Sequence, residues 1–174
     1  ISGRTAGFAT VDFGGAGEFT KLMYPGLMFI GGAAGSVAGG IKVATFAVII
    51  AAVISSVRGR PQAEAFGREI AQIQVLRALT VGVLGMGVIM MLLPTLAVLE
   101  PDIPFMDLLF DSVSAFSNNG TSTGIVPGLG LAGKSIFMVA MFIGRLGPLS
   151  LALALAPREE ASAYRFAQER VKIG

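Results

Sequence analysis

The chain has no cysteine, no histidine and no tryptophan among its 174 residues. Without thiols or imidazoles it has no disulfide, no cysteine nucleophile, no histidine general base and no Cys/His metal site. Charge is scarce too: Asp, Glu, Lys and Arg make up 14% of the chain, against roughly a quarter of a soluble domain. The net charge of +2 is small. Its positives fall in two clusters between apolar spans, a pattern of membrane orientation rather than nucleic-acid binding. Residues 1–8 show no charged segment followed by an apolar one, so they do not read as a signal peptide. With Ile rather than Met at position 1, the chain is expected to be a fragment, or one whose start has been lost.

What is abundant is apolar surface. Hydrophobic residues make up 53% of the chain, glycines number 24, and the mean hydropathy is +0.76. A water-soluble protein of this size has too little interior to hide so much. The expected solvent is lipid.

Three stretches, 22–57, 70–99 and 135–156, reach the roughly 20 helical residues needed to cross a hydrocarbon core. The first is interrupted by Gly31-Gly32-Ala33-Ala34-Gly35-Ser36-Val37-Ala38-Gly39-Gly40, followed by Ile41 and Lys42. Each glycine inside a helix costs about 1 kcal/mol relative to alanine, so a broken helix is expected. Backbone freed by a break is tolerated at membrane depth only where protein or a water-filled cavity surrounds it. Packing of helices through small residues is the alternative. A phosphate-binding loop is a poor alternative, because its spacing from Gly35 needs Lys at position 41, which is Ile41.

Between the second and third spans, Phe105, Leu108, Leu109, Val113 and Phe116 recur at helical spacing before Ser117-Asn118-Asn119-Gly120. A helix of about 13 residues, roughly 20 Å, is too short to span and suits a re-entrant segment. Arg58, Arg60 and Arg68 lie in one loop, and Arg158, Arg165, Arg170 and Lys172 follow the last span. Glu100, Asp102, Asp107 and Asp111 crowd the other side. The positive-inside rule then makes the re-entrant loop open outward and the C-terminus cytoplasmic. Asp107 and Asp111, at helical spacing near the outer face, are expected to attract cations or stay solvated.

Sliding the chain on itself by 113 residues pairs Gly7 with Gly120, Thr10 with Thr123, Gly15 with Gly128, Gly17 with Gly130 and Lys21 with Lys134. It also pairs Met28-Phe29-Ile30-Gly31 with Met141-Phe142-Ile143-Gly144, nine identities in 25 ungapped positions. Transporter folds are often built from such repeats. Each unit would be a span, a re-entrant pore helix, a glycine-containing loop and a second span.

These residues resemble the pore subunit of the Trk/Ktr/HKT superfamily of potassium transporters, with the bacterial Ktr type as the nearest likeness. Arg4-Thr5-Ala6-Gly7-Phe8, Met28-Phe29-Ile30-Gly31-Gly32 and Gly39-Gly40-Ile41-Lys42 are similar to the third pore unit. Ser114-Ala115-Phe116, Gly120, Ser122-Thr123-Gly124-Ile125, Met141-Phe142-Ile143-Gly144-Arg145, Gly147-Pro148-Leu149 and Glu169-Arg170-Val171-Lys172-Ile173-Gly174 are similar to the fourth unit and the chain end. One departure stands out. Asn118-Asn119-Gly120-Thr121 replaces the Thr-Val-Gly-Leu of the Ktr branch.

The resemblance implies an all-α membrane protein of repeated helix, pore-loop and helix units, with a broken transmembrane helix. Residues 1–57 would hold the filter loop and broken second helix of the third unit, and 58–69 a cytoplasmic linker. Residues 70–156 would form the fourth unit, and 157–174 the cytoplasmic tail. Thr5, Ala6, Gly7, Asn118, Asn119 and Gly120 would offer backbone carbonyls to potassium in a selectivity filter, as glycine permits the required backbone angles. Each glycine could instead merely make a turn. Gly31, Gly32, Gly35, Gly39, Gly40 and Lys42 would form or flank an intramembrane gating loop, although Lys42 could snorkel toward the cytoplasmic side.

Arg145 follows nine apolar or small residues, and a charge that deep costs at least about 2.5 kcal/mol on insertion scales. It should therefore face a cavity or a partner, either raising a barrier to cations or anchoring the loop. The resemblance further implies a multi-pass protein of the bacterial inner membrane, a homodimer of pore subunits and a cytoplasmic nucleotide-binding regulatory ring. No cofactor or nucleic-acid partner is expected, and potassium or sodium is the transported ion. A membrane-embedded enzyme and a structural membrane subunit are the competing classes. The first lacks a catalytic set within the spans, and the second has no need for two equivalent glycine loops.

Overall fold

The computed structural model describes residues 7–33, 35–36, 38–60, 62–65 and 67–147. Among these residues five helices carry the fold: α1 (Glu18–Phe29), α2 (Val43–Val57), α3 (Gln72–Leu99), α4 (Phe105–Ser117) and α5 (Leu131–Leu146). A two-residue hairpin, β1 (Glu64–Ala65) with β2 (Arg68–Glu69), joins α2 to α3, and a 3-10 turn spans Val126–Gly128. Among the described residues α3 is the one helix both long and apolar enough to cross a membrane by length and composition. Its 28 residues extend roughly 42 Å at 1.5 Å per residue.

The short helix α4 is the centre of the molecule, packed against α1, α3 and α5. Residues 110–117 are buried on every side. Phe110, Val113 and Phe116 join Phe13, Met28 and Ile89 in one apolar cluster, while Leu108 and Ala115 join Leu92, Leu96, Leu129, Phe137 and Ala140 in another. Phe13, Tyr24 and Phe110 form an aromatic triangle with centroids 4.9 to 5.8 Å apart. The outer helices face the other way. Val53, Val57, Val83, Met90, Met91 and Val98 present apolar side chains outward, a surface suited to lipid.

The periodicity of α4 predicts a one-sided apolar stripe, and the structure departs from it. Leu108, Val113 and Phe116 are buried as expected, but Phe105 at the first turn is 55% exposed, and the polar residues of the last two turns are buried too. A helix enclosed by three others has no solvent face to spare for its serines. Ser114 and Ser117 are satisfied locally: Ser114 Oγ donates to the Thr121 carbonyl, and Ser117 Oγ to that of Val113 at 2.7 Å.

Helix α1 stops at Phe29 and helix resumes only at Val43. The ends of the intervening segment are tied by a parallel bridge between Ile30 and Ile41. The Gly31 N–H donates to the Ile41 carbonyl at 2.7 Å, and the Val43 N–H to that of Gly32 at 3.1 Å. Helix α5 begins at Leu131, ahead of the expected 135, because Glu100 accepts the N–H of its capping residue, Gly130, at 2.7 Å. That bond satisfies a donor otherwise left open at the helix start. The expected end of this span, at 156, lies outside the described residues, as does the 157–174 tail.

Candidate functional site

Gly120 and Gly7, matched by the internal repeat, lie against each other. A Cβ built on Gly120 would stand 3.0 Å from Gly7 Cα, and one on Gly7 would be 3.6 Å from both Asn119 O and Gly120 Cα. Both glycines are exposed and left-handed, with φ 87° and 68°, a conformation only glycine adopts without penalty. Thr5 and Ala6, assigned to the same loop from sequence, lie outside the described residues.

The loop after α4 is held from behind by a dense polar network. Asp111, 3% exposed, accepts the Thr123 N–H at 2.9 Å, the Ser122 hydroxyl at 2.9 Å and the Thr123 hydroxyl at 3.3 Å. Asn119 is buried and its Nδ2 donates to Thr121 Oγ1 at 2.8 Å; that hydroxyl reaches Met28 Sδ at 3.6 Å. A cavity of about 220 Å³ lies between this loop and α5, lined in part by Asp111, Ser114, Asn118, Thr121, Phe137 and Met141.

Asp107 and Asp111 are therefore not solvated, one of the two alternatives expected from sequence. Asp111 spends its lone pairs on Ser122 and Thr123 of the loop after α4. Asp107 is paired with Lys21, Nζ to Oδ1 2.7 Å, with side-chain exposures of 8% and 15%. That pair bridges α1 and α4, and Asp107 also sits in the first turn of α4, where the helix dipole favours a negative charge.

Segment 31–40 lies beside the end of α4. A Cβ on Gly39 would stand 2.7 Å from the Ser117 carbonyl and 2.8 Å from Asn118 Nδ2, and one on Gly40 3.2 Å from Ser117 Cβ. Gly31 fits only because it has no side chain, its Cβ position falling on the Gly39 carbonyl. Gly32 is crowded by Ser36 and Ala38, while Gly35, φ 86°, faces open space. Lys42 stays with the segment: Nζ donates to the carbonyls of Ser36, at 3.0 Å, and Ala38.

From the opposite side α5 closes on the same point, where a Cβ on Gly144 would collide with the Phe116 carbonyl. The neighbouring Arg145 is exposed, and its side chain makes no hydrogen bond or ion pair among the described residues. Also among the described residues, no group of three or more acidic side chains is placed to hold a metal ion.

The structure thus brings together Gly7, Asn118, Asn119 and Gly120 at one loop pair, and Gly31, Gly32, Gly39, Gly40 and Lys42 in a segment directly beside it. Sequence reasoning missed the Asp111 network, the Lys21 pair and the reach of the Asn118 side chain. Only the repeat pairing of Lys21 with Lys134 singled out one of them.

Comparison with known proteins follows the same lines. The family model described as a cation transport protein, TrkH, matches residues 1–164. The Ktr system potassium uptake protein B of Bacillus subtilis is 38% identical over 162 residues, 93% of this chain and 36% of the relative. The potassium/sodium uptake protein NtpJ of Enterococcus hirae is 33% identical over 180 residues, covering 100% and 40%. The Ktr system potassium uptake protein B of Vibrio alginolyticus is 35% identical over 173 residues, covering 99% and 38%. The chain therefore spans under half the length of these relatives. A family of cation transport proteins, not enzymes, accounts for a mostly helical chain with outward apolar faces, and makes this an all-α membrane protein. The chain belongs to the TrkH family of cation transport proteins.

Proposed function

We propose that the intact protein takes up potassium across the bacterial inner membrane through a pore of four helix, pore-loop and helix units, of which this chain supplies part of the third and the fourth. The observation that carries it is the contact between Gly7 and Gly120, two left-handed, exposed glycines from equivalent places in a repeat. Carbonyl oxygens turned by such residues toward a common axis can replace the hydration shell of a cation. Thr5, Ala6 and Gly7 from one unit and Asn118, Asn119 and Gly120 from the next are the proposed filter residues.

In this reading 1–57 holds a filter loop and a transmembrane helix broken between α1 and α2, and 58–69 is a cytoplasmic linker. Residues 70–156 form the last unit, with α4 as its re-entrant pore helix, and 157–174 is a cytoplasmic tail. The gating loop is 31–40, with Lys42 bonding its carbonyls. Support comes from the packing of Gly39 and Gly40 against Ser117 and Asn118, next to the proposed filter residues. Arg145 contributes a fixed positive charge close by. The functional assembly is a homodimer of pore subunits governed by a cytoplasmic nucleotide-binding ring.

Sodium is a second candidate cargo, favoured by the likeness to a potassium/sodium uptake protein and by polar Asn118 and Asn119 in the filter. Uptake of potassium and sodium by the full-length protein in liposomes tests both. Potassium uptake that prefers potassium supports the filter reading, and preferential sodium uptake replaces its cargo. No cation flux from folded protein overturns it.

A further inference from the structure

Asn118 sits where three parts of the fold meet. Its backbone is left-handed, φ 52° and ψ 38°, and it is the one non-glycine residue with positive φ among the described residues. Its side-chain Nδ2 donates to the Met141 carbonyl on α5 at 2.9 Å and lies 3.5 Å from the Phe116 carbonyl. The same nitrogen is 2.8 Å from the Cβ position of Gly39 and 3.3 Å from that of Gly144. One amide therefore lies against both the 31–40 loop and the last helix, while its own backbone begins the loop that carries Gly120.

We propose that Asn118 is a positioning residue that couples the filter loop to the gating loop. Its amide holds α5 by a hydrogen bond and fills the space that Gly39 leaves empty, so a displacement of 31–40 is felt at Asn119 and Gly120. The inference rests on the filter and gate assigned above. A plain helix cap needs only the left-handed backbone, which glycine supplies with less strain. It has no use for a donor aimed at a carbonyl on another helix. Nor does it need glycine at both Gly39 and Gly144, whose missing side chains leave room for the amide and for the Phe116 carbonyl.

Asn118→Gly separates the two roles, since it eases the backbone and deletes the amide. In the full-length protein in liposomes, potassium flux per folded molecule should rise on the order of threefold to tenfold, the equilibrium shift expected from one lost neutral hydrogen bond. Potassium preference over sodium should fall at the same time. Asn118→Asp keeps the shape but sets a carboxylate against the Met141 carbonyl, and should act in the same direction. In a variant lacking 33–37, Asn118→Gly should add no further flux, because coupled changes are not additive. Unchanged flux and preference in Asn118→Gly, or a full additional increase in the loop-deleted protein, would overturn the coupling and leave Asn118 a cap. Failure of the underlying filter reading is distinguishable, for then Gly120→Ser would also leave the preference unchanged.

Discussion

The Lys21 ammonium lies 2.7 Å from Asp107 Oδ1 and joins α1 to the start of α4. This contact crosses from one proposed pore unit to the next, so it fixes where α4 stands relative to the unit before it. Lys21→Met leaves Asp107 charged and without that partner, and truncating one member of a buried pair is the costly change. The melting temperature of the full-length protein in detergent should fall for Lys21→Met. It should recover in Lys21→Met with Asp107→Leu, where no charge is left unpaired. Melting of Lys21→Met equal to that of the unmodified protein would show that the pair contributes nothing to unit packing.

Gly120→Ser should weaken potassium selectivity. The side chain meets two obstacles: a left-handed φ of 87°, and Gly7 Cα 3.0 Å from the new Cβ. The first alone costs about 1–2 kcal/mol. Relief requires the two glycine loops to part, which moves the carbonyls. Comparison of potassium and sodium uptake checks it, with unchanged preference counting against this loop as the filter.

The gate leads to a different outcome. Removal of 33–37 should raise potassium flux with preference retained, because the proposed barrier is lowered while Gly39 stays against Asn118 and Gly7 and Gly120 keep their contact. Neutralising the charge by Arg145→Gln should do the same less completely. If 31–40 is only a packing surface, the deletion instead yields less folded protein and lower flux. Uptake normalised to folded protein separates the two.

Asp111→Asn keeps the size of the side chain and halves its capacity to accept. The Ser122 and Thr123 donors then compete for one oxygen, and the loop behind the filter loosens. Selectivity should drop with folding largely intact, whereas Asp111→Leu leaves those donors with no acceptor and should also reduce folded yield. Selectivity equal to the unmodified protein in both variants would remove Asp111 from the filter's support.

Topology has its own check. A cysteine introduced at Ser162 should be labelled by a membrane-impermeant reagent only from the cytoplasmic side, the chain having no other cysteine in this region. Labelling from outside in intact cells would invert the proposed orientation.

Much of the helical layout is legible in the sequence because its boundaries are local. Pro104 opens α4 and Asn118-Asn119-Gly120 closes it, and the apolar run ending at Leu99 ends α3. The break after Phe29 is announced by Gly31-Gly32. What escapes is whatever a distant segment decides. The start of α5 depends on Glu100, the partners of Asp107 and Asp111 come from other loops, and nothing near Asn118 names Met141 as its acceptor. The repeat aligned Gly31 with Gly144, but their shared reason became visible only in space. Each lies where a Cβ would strike a carbonyl oxygen of a packed neighbour.

The parallel bridge between Ile30 and Ile41 fixes the two ends of the glycine segment to each other, whatever happens between them. If the proposed gate opens by movement between these tied ends, it needs no swing of α1 or α2, but it must release the Ser36 and Ala38 carbonyls from Lys42 and Gly39 from its place against Ser117 and Asn118. Loop rearrangements of that kind run in nanoseconds to microseconds, whereas hinged helices take microseconds to milliseconds. A pore governed this way would flicker on the faster clock while its helical frame stays still.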